Sequence, residues 1–191
     1  MAEALFGDYA PNGKLPVTFY QGTENLPEFT DYSMAGRTYR YTDKNILYPF
    51  GYGLTYGKIS YSGAKTEQET SAVLDDVTVC TKVKNESAYP LHESVEVYVK
   101  YKYAQSGEPG FQLKGIACVE LQAGEEKEVS VTLHARDISV ITEDGGCVVR
   151  TGEYEISIGG QQPGERSRAL TGRETEILTV RKEGNEENVE Y

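Results

Sequence analysis

Paired acidic residues are the side chains of this sequence whose type could carry out catalysis. Two carboxyl groups that face each other roughly 5 to 10 Å apart can serve as acid and as base or nucleophile in a hydrolysis. The chain has 30 acidic residues, so adjacent pairs arise easily. Three such pairs are Asp75-Asp76, Glu125-Glu126 and Glu143-Asp144. Each lies in a stretch typical of a turn, where charges are normally solvated, and we predict that none is a catalytic pair.

Histidine and cysteine could provide a general base, a nucleophile or a metal site. His92 and His134 lie far apart in sequence, and neither stands near a nucleophile motif such as G-x-S-x-G. Cys80, Cys118 and Cys147 lack the close spacing of metal ligands, so we expect three small buried side chains. The sequence therefore predicts no catalytic residue, no metal and no cofactor.

Tyrosine is the residue type that suggests binding. The chain has 15 tyrosines and no tryptophan, and Tyr98, Tyr101 and Tyr103 could line a strand and the loop after it. Flat aromatic rings stack on sugar rings, so a glycan-binding module stays an open alternative. The absence of tryptophan weighs against it, since sugar-binding modules rely heavily on that residue.

Two short motifs carry less information. Residues 51–54, Gly-Tyr-Gly-Leu, lack the preceding strand and following helix of a phosphate-binding loop. Residues 85–87, Asn-Glu-Ser, fit the glycosylation sequon, and we interpret this match as a coincidence.

The elements that must position these residues are strands. From Lys58 onward apolar and polar residues alternate with a period of two, which predicts strands with one face in a core. In residues 95–101 the valines and Tyr101 are expected to face the core, and Glu96, Tyr98 and Lys100 are expected to face water. The alternating segments are 77–83, 95–101, 129–133 and 154–158, with further strands predicted at 113–121 and 147–150. This spacing predicts an all-β fold, an immunoglobulin or fibronectin III-like antiparallel β-sandwich.

Residues 1–56 differ from the rest. They are rich in glycine, proline and tyrosine, with a helical turn predicted at 1–6, a short strand at 15–19 and no sustained period. So many aromatic side chains must pack on some surface, which this chain need not contain. We predict three parts: an irregular aromatic-rich arm at 1–56, the sandwich at 57–182, and an acidic flexible tail at 183–191.

Charge limits the partners. The net charge is −11 and the sequence pI is about 4.7, which argues against nucleic acid or an anionic membrane as a partner. No apolar run approaches the roughly 20 residues that span a bilayer. Residues 1–8 lack the features of a signal peptide, so we expect a cytoplasmic protein.

Several motifs, in order and in register, resemble one known family. Residues 4–19 closely resemble a stretch near the C-terminal end of family 3 glycoside hydrolases, where it closes the α/β sandwich domain. Residues 36–41 and 48–56 resemble the linker that leads into that family's fibronectin III-like domain. Matching motifs in the sandwich are 112–115, 121–125, 136–138, 152–156 and 159–160.

This resemblance implies an accessory role. The family contains retaining, exo-acting β-glucosidases and β-xylosidases, whose aspartate nucleophile lies on a barrel and whose acid/base comes from the α/β sandwich domain. Both positions lie outside the matched stretch, so we expect this chain to be inactive alone. The expected partners are the catalytic barrel and the α/β sandwich domain, with self-association through the arm as a further possibility.

The resemblance also assigns contact residues. The arm would lie along the two larger domains, and the residues expected to make interdomain contacts are Arg37, Tyr39, Arg40, Tyr41, Phe50 and Tyr52. A free-standing protein-interaction domain is the other alternative, and it predicts an arm that folds onto its own sandwich. An exposed aromatic strip on residues 29–56 would instead favour a missing partner surface.

Overall fold

The segments with alternating residues are strands of a β-sandwich. The computed structural model describes residues 2–142 and 144–190, and it confirms the all-β sandwich. The helices are α1 (Ala2–Phe6), α2 (Thr38–Tyr41), α3 (Ala135–Ile138) and α4 (Glu165–Thr171), with a 3₁₀ turn at Thr23–Asn25. The strands are β1 (Phe19–Tyr20), β2 (Ile46–Tyr48), β3 (Ile59–Thr66), β4 (Thr70–Ala72), β5 (Val77–Asn85), β6 (Leu91–Tyr101), β7 (Gln112–Leu121), β8 (Glu126–Leu133), β9 (Val140–Ile141), β10 (Cys147–Val149), β11 (Gly152–Gly159), β12 (Glu176–Glu183) and β13 (Glu187–Asn188).

Two main sheets face each other. One has the strand order β4-β12-β11-β6-β7 and the other has the order β3-β5-β8. The pairings are antiparallel except that of β12 with β4, which is parallel. Two small sheets, β1-β2 in the arm and β13-β10-β9 at one end, complete the fold.

The core fills the space between the two main sheets. Because side chains alternate along a strand, every second residue of β5, β6 and β11 reaches this space. The valines 95 and 97 on β6 are fully buried, as is Ile158 on β11. Tyr154 is 2% exposed, and its hydroxyl both accepts from the Arg150 amide and donates to the Arg150 carbonyl.

The outward face of β6 differs from the sequence prediction. Glu96 and Tyr98 were expected to face water, but they are 3% and 0% exposed, and of that set only Lys100 keeps partial exposure. The reason is that the arm lies over this part of the sheet, so β6 is covered on both faces.

A buried lysine joins β12 to β4. The Lys182 ammonium donates to the Ser71 hydroxyl at 2.9 Å and to the carbonyls of Ala72 and Asp75 at 3.1 and 2.5 Å. Burial lowers the pKa of Lys182. These three acceptors satisfy the ammonium donors and anchor the short parallel strand.

Strands β3 and β12 were not among the strands predicted individually, and three further segments also differ from the sequence-based expectation. The strand predicted at 15–19 is instead Phe19–Tyr20. Helix α4 was not predicted; Gly172 ends it in the left-handed conformation, with φ of 68°. The tail expected to be flexible pairs with β10 through Glu187–Asn188, and Val189 packs against the core.

The helical turn predicted at 1–6 is observed as α1, with Met1 outside the described residues. Glu143, a member of one candidate acidic pair, also lies outside them. Among the described residues, no helix is both long and apolar enough to cross a membrane.

Candidate functional site between the arm and the sandwich

The arm is fixed to one end of the sandwich by a buried ion pair. The Lys14 ammonium donates to the Glu93 carboxylate at 3.1 Å and to the Gly160 carbonyl at 2.7 Å. The Tyr61 hydroxyl of the opposing sheet donates to the same Glu93 oxygen at 3.0 Å. The Glu93 side chain is 2% exposed and that of Lys14 is 14% exposed. Lys14 therefore connects the arm to β6 and to the residue after β11.

A second carboxyl group lies beneath the arm. The Tyr98 hydroxyl donates to Glu96 Oε2 at 2.7 Å. Burial raises the pKa of Glu96 to about 7, opposed by the Tyr98 hydrogen bond and by the Lys14 charge and reinforced by the Glu93 charge. Gly51 of the arm covers this pair.

Gly51 has no room for a side chain. Its φ is +73°, and a Cβ there would lie 2.5 Å from Glu96 Oε2 and 2.6 Å from the Tyr98 hydroxyl. The Gly51 amide donates to the Leu15 carbonyl at 2.8 Å, and the Leu15 amide donates to the Tyr52 carbonyl at 2.9 Å. Two arm segments are thereby joined above the carboxyl groups, and only glycine fits both the φ value and the space.

Two of the residues predicted to make interdomain contacts pack on the chain's own sandwich. The rings of Tyr39 and Phe50 stack with centroids 4.1 Å apart. Both meet the ring of Tyr98 edge-on, at 6.2 and 6.5 Å. The Tyr39 hydroxyl also accepts from the Leu113 amide on β7 at 3.2 Å. Such aromatic contacts contribute beyond the area they bury.

The two predicted arginines are engaged within the chain. The Arg37 guanidinium donates to the carbonyls of Ser33, Glu28 and Asp31 and thus holds its own loop together. Arg40 lies over the Tyr39 ring at 5.8 Å.

Tyr41 and Tyr52, the other two residues predicted to make interdomain contacts, are partly buried. The Tyr52 ring stacks on the Tyr48 ring with centroids 5.2 Å apart. Tyr41 lines a groove between the arm and the sandwich, together with Lys100 and Phe111. An additional contact of these six residues with another domain stays a prediction.

Other large apolar residues of the arm are exposed. Phe29 and Tyr32 are 93% and 91% exposed, and Phe6 is 85% exposed. We call six of the exposed apolar residues of the arm its outer surface: Leu5, Phe6, Phe29, Tyr32, Leu54 and Tyr56. A nearby groove of about 540 Å³ has a mainly apolar lining that includes Pro16, Val17, Leu26, Met34, Tyr39 and Phe50. Large apolar residues exposed in this number are typical of an interaction surface.

The acidic pairs in turns have structural contacts. Asp75 accepts from the Ala72 amide at 3.0 Å, and Asp76 lies 2.9 Å from the ring nitrogen Nδ1 of His134. Glu125 accepts from the Gln122 amide at 2.7 Å and closes its turn. These contacts give the carboxylates a role in the turns themselves.

The histidines and cysteines are dispersed. His92 lies on β6 with its side chain exposed. Cys80 and Cys147 are buried, but Cys118 is exposed because it lies on the outward face of the edge strand β7 with Ile116. Within residues 2–142 and 144–190, no group of three or more His, Cys, Asp or Glu side chains is placed to hold a metal.

Asn85 of the sequon is inaccessible. It is 0% exposed, and its amide nitrogen donates to the carbonyls of Tyr89, Leu121 and Gln122. The folded chain therefore offers no free amide at this position.

The three tyrosines considered for sugar stacking do not form a flat platform. Tyr98 is fully buried. The Tyr101 and Tyr103 rings meet at 74°, and Tyr101 also packs on Tyr154. A sugar ring cannot lie across them.

Sequence reasoning missed the residues that fix the arm, namely Lys14, Gly51, Tyr61 and Glu93. One signal was present: two glutamates, three positions apart, interrupt the valine-rich strand β6. A charged residue in a strand otherwise built for burial indicates a buried partner.

The fold and the arm together define the class of protein. Residues 93–162 match the fibronectin type III-like domain, and residues 1–56 match the glycosyl hydrolase family 3 C-terminal domain. The chain belongs to glycoside hydrolase family 3 and comprises sequence from that family's C-terminal part, with its fibronectin type III-like domain.

Relatives and solved structures agree with this assignment. The chain is 36% identical over 160 residues to a xylan 1,4-β-xylosidase of Xylanibacter ruminicola and 34% identical over 175 residues to thermostable β-glucosidase B of Acetivibrio thermocellus. Each match covers 83% of this chain but 18% and 23% of the respective relative. A solved β-glucosidase of Kluyveromyces marxianus superposes with a TM-score of 0.77 at 28% identity, covering 98% of this chain and 23% of that one. The chain thus spans about a fifth of its curated relatives, which contain further domains.

Proposed function

We propose that this chain is the accessory C-terminal part of a β-glucosidase-like or β-xylosidase-like enzyme. Its sandwich holds the arm in a fixed shape, and the outer surface of the arm contacts the catalytic barrel and the α/β sandwich domain. The role is structural: the chain covers the flank of the catalytic domains and stabilises them.

The contrast between arm residues fixed on the sandwich and arm rings left exposed is the observation that carries this proposal. The inner side is fixed by the Lys14–Glu93 pair and by the Tyr39–Phe50 stack on Tyr98. The outer surface leaves rings such as Phe29 in water, which costs free energy unless another surface covers them. An arm that contacted only its own sandwich would not be expected to expose these apolar side chains.

The activity proposed for the whole enzyme is hydrolysis of β-glucosides or β-xylosides, after its relatives named for those activities. We assign no catalytic residue to the present chain. Asp75 and Glu125 close turns, and the buried Glu93 and Glu96 lie under the arm, where no substrate can reach them. We therefore expect the isolated chain to give no turnover of 4-nitrophenyl β-glucoside or β-xyloside. Turnover that survives repurification would refute the proposal that the chain is inactive alone.

The outer surface can be tested in the isolated chain. We expect it to self-associate in sedimentation velocity runs, because the exposed rings find each other when no larger domain covers them. The double variant Phe29→Ser with Tyr32→Ser should be monomeric at the same concentration. A matched change of the exposed polar residues Thr30→Ser and Ser33→Ala should leave the association intact. A monomeric wild-type chain would show that the outer surface is not adhesive.

A glycan-binding module is the other function considered. The tilt between Tyr101 and Tyr103 and the burial of Tyr98 weigh against it. Pull-down on cellulose, xylan and β-glucan provides the test, and retention on any of them would revive this alternative.

A further inference from the structure

Two buried carboxyl groups share one ammonium beneath the arm. Glu93 and Glu96 are 2% and 3% exposed. Among the described residues, Lys14 is the cation that pairs with Glu93 and also acts on Glu96. Moving a carboxylate out of water costs several kcal/mol unless an opposite charge and hydrogen bonds compensate. One ammonium compensates one carboxylate, so the cluster carries an excess negative charge when both glutamates are ionised.

Within the part of the chain that the structure describes, no cation other than Lys14 acts on Glu96. The hydroxyls of Tyr98 and Tyr61 donate hydrogen bonds but carry no charge, and the positive charge of Arg173 acts on Tyr61. From the arm come Lys14, the backbone of Gly51, and the Tyr39 ring against Tyr98. The excess negative charge is therefore removed when one of the two carboxyl groups takes up a proton.

We propose that Glu93, Glu96, Tyr98 and Lys14 form a proton-operated latch, which holds the arm on the sandwich when Glu96 is protonated and loosens when Glu96 ionises. The latch lies wholly within this chain. It therefore does not depend on the proposed contact with other domains.

The direction of the pH dependence follows from the geometry. When the arm lifts, Gly51 leaves the Glu96 carboxyl group, which returns to water and to an ordinary pKa near 4.5. The docked arm therefore binds more protons than the lifted arm between pH 4.5 and about 7. Docking weakens as the pH rises through this window. The equilibrium constant for lifting should increase on the order of 50-fold between pH 5 and pH 8.

Hydrogen exchange on the intact chain measures this equilibrium. The Leu113 and Gly110 amides are the probes, since they donate to the Tyr39 hydroxyl and the Arg40 carbonyl of the arm, and these bonds break when the arm lifts. Their protection factors, corrected for the intrinsic pH dependence of exchange, should fall from pH 5 to pH 8. The variant Glu96→Gln mimics the protonated acid, so it should keep at pH 8 the protection that the wild type has at pH 5.

Two further measurements make the test decisive. The control Glu69→Gln removes an exposed carboxylate elsewhere, and its protection factors should depend on pH as those of the wild type do. If Glu96→Gln does not fold, the ¹³C shift of the Glu96 carboxyl carbon in the wild type still reports its midpoint, expected near pH 7. A midpoint below pH 5, or parallel slopes for the wild type and Glu96→Gln, would overturn the latch.

Discussion

Strand β6 and the arm segment at 37–52 are both rich in large apolar residues, but they bury them differently. The valines of β6 alternate with polar residues, and two facing sheets of the same chain cover them. Apolar residues do not alternate regularly along the arm segment, so the burial of its rings depends on the surface that lies beside them. Tyr39 and Phe50 find that surface on the sandwich. Phe29 and Tyr32, in the loop before the segment, do not.

This difference implies that the two regions of the chain are stabilised in different ways. The sandwich contains a closed core and should unfold as a cooperative unit, whereas the arm is fixed by a few contacts and can lift locally. Variants in the two regions should therefore affect different measurements, and the predictions below separate them in order of decreasing effect.

The largest effect is expected in the sandwich core. Ile156 is 1% exposed on β11, and Ile156→Ala should lower the free energy of unfolding by about 4 kcal/mol because it leaves a cavity. Urea titration followed by far-UV circular dichroism measures this loss. Ile177→Ala is the control, since Ile177 is 55% exposed. An equal loss from both variants would argue against the assigned core.

The next effect is expected at the ion pair that fixes the arm. Lys14→Met leaves the Glu93 carboxylate buried without its ammonium, which should weaken arm docking by about 3 kcal/mol. Limited proteolysis should then cut before residue 57 much faster, while the urea midpoint of the sandwich changes little. The protease should cut the variant Lys44→Met, changed at an exposed arm position, at the wild-type rate. If both variants are cut alike, Lys14 does not fix the arm.

A smaller effect is expected at the glycine that covers the carboxyl groups. Gly51→Ala places a methyl group against Glu96 and Tyr98 at a φ that disfavours alanine, so arm docking should weaken by about 2 kcal/mol. The same proteolysis assay detects it. Gly13→Ala is the matched control, because a Cβ at Gly13 would meet nothing within 4 Å. Equal cleavage of the two alanine variants would contradict this close contact.

The smallest effect on stability is expected on the outer surface of the arm. The double variant Phe29→Ser with Tyr32→Ser should change the free energy of unfolding by less than about 0.5 kcal/mol, since both rings are in water. Urea titration measures this value. A loss of 2 kcal/mol or more would mean that these rings pack on the chain itself.

The sequence predicted the sandwich because a period of two survives in each long strand, as in β5 and β6. It did not predict that Glu96 and Tyr98 are buried, because their cover comes from residues 39–51, far away in the chain. The family motifs identified the arm, but the division into inner and outer sides depends on long-range contacts such as that of Lys14 with Glu93. Alternation along a strand describes one sheet and carries no information about an irregular segment laid across it.

Hydrogen exchange compared between the isolated chain and the full-length enzyme proposed here tests the central claim most directly. The Leu15 and Gly51 amides should be protected in both, because the sandwich and the arm hold them without help. Amides at residues 29–34 should exchange faster in the isolated chain, at a concentration where it is monomeric, than in the enzyme, where the larger domains cover the outer surface of the arm. Exchange at residues 29–34 that is equally fast in both would contradict the account, because the arm would then contact no other domain.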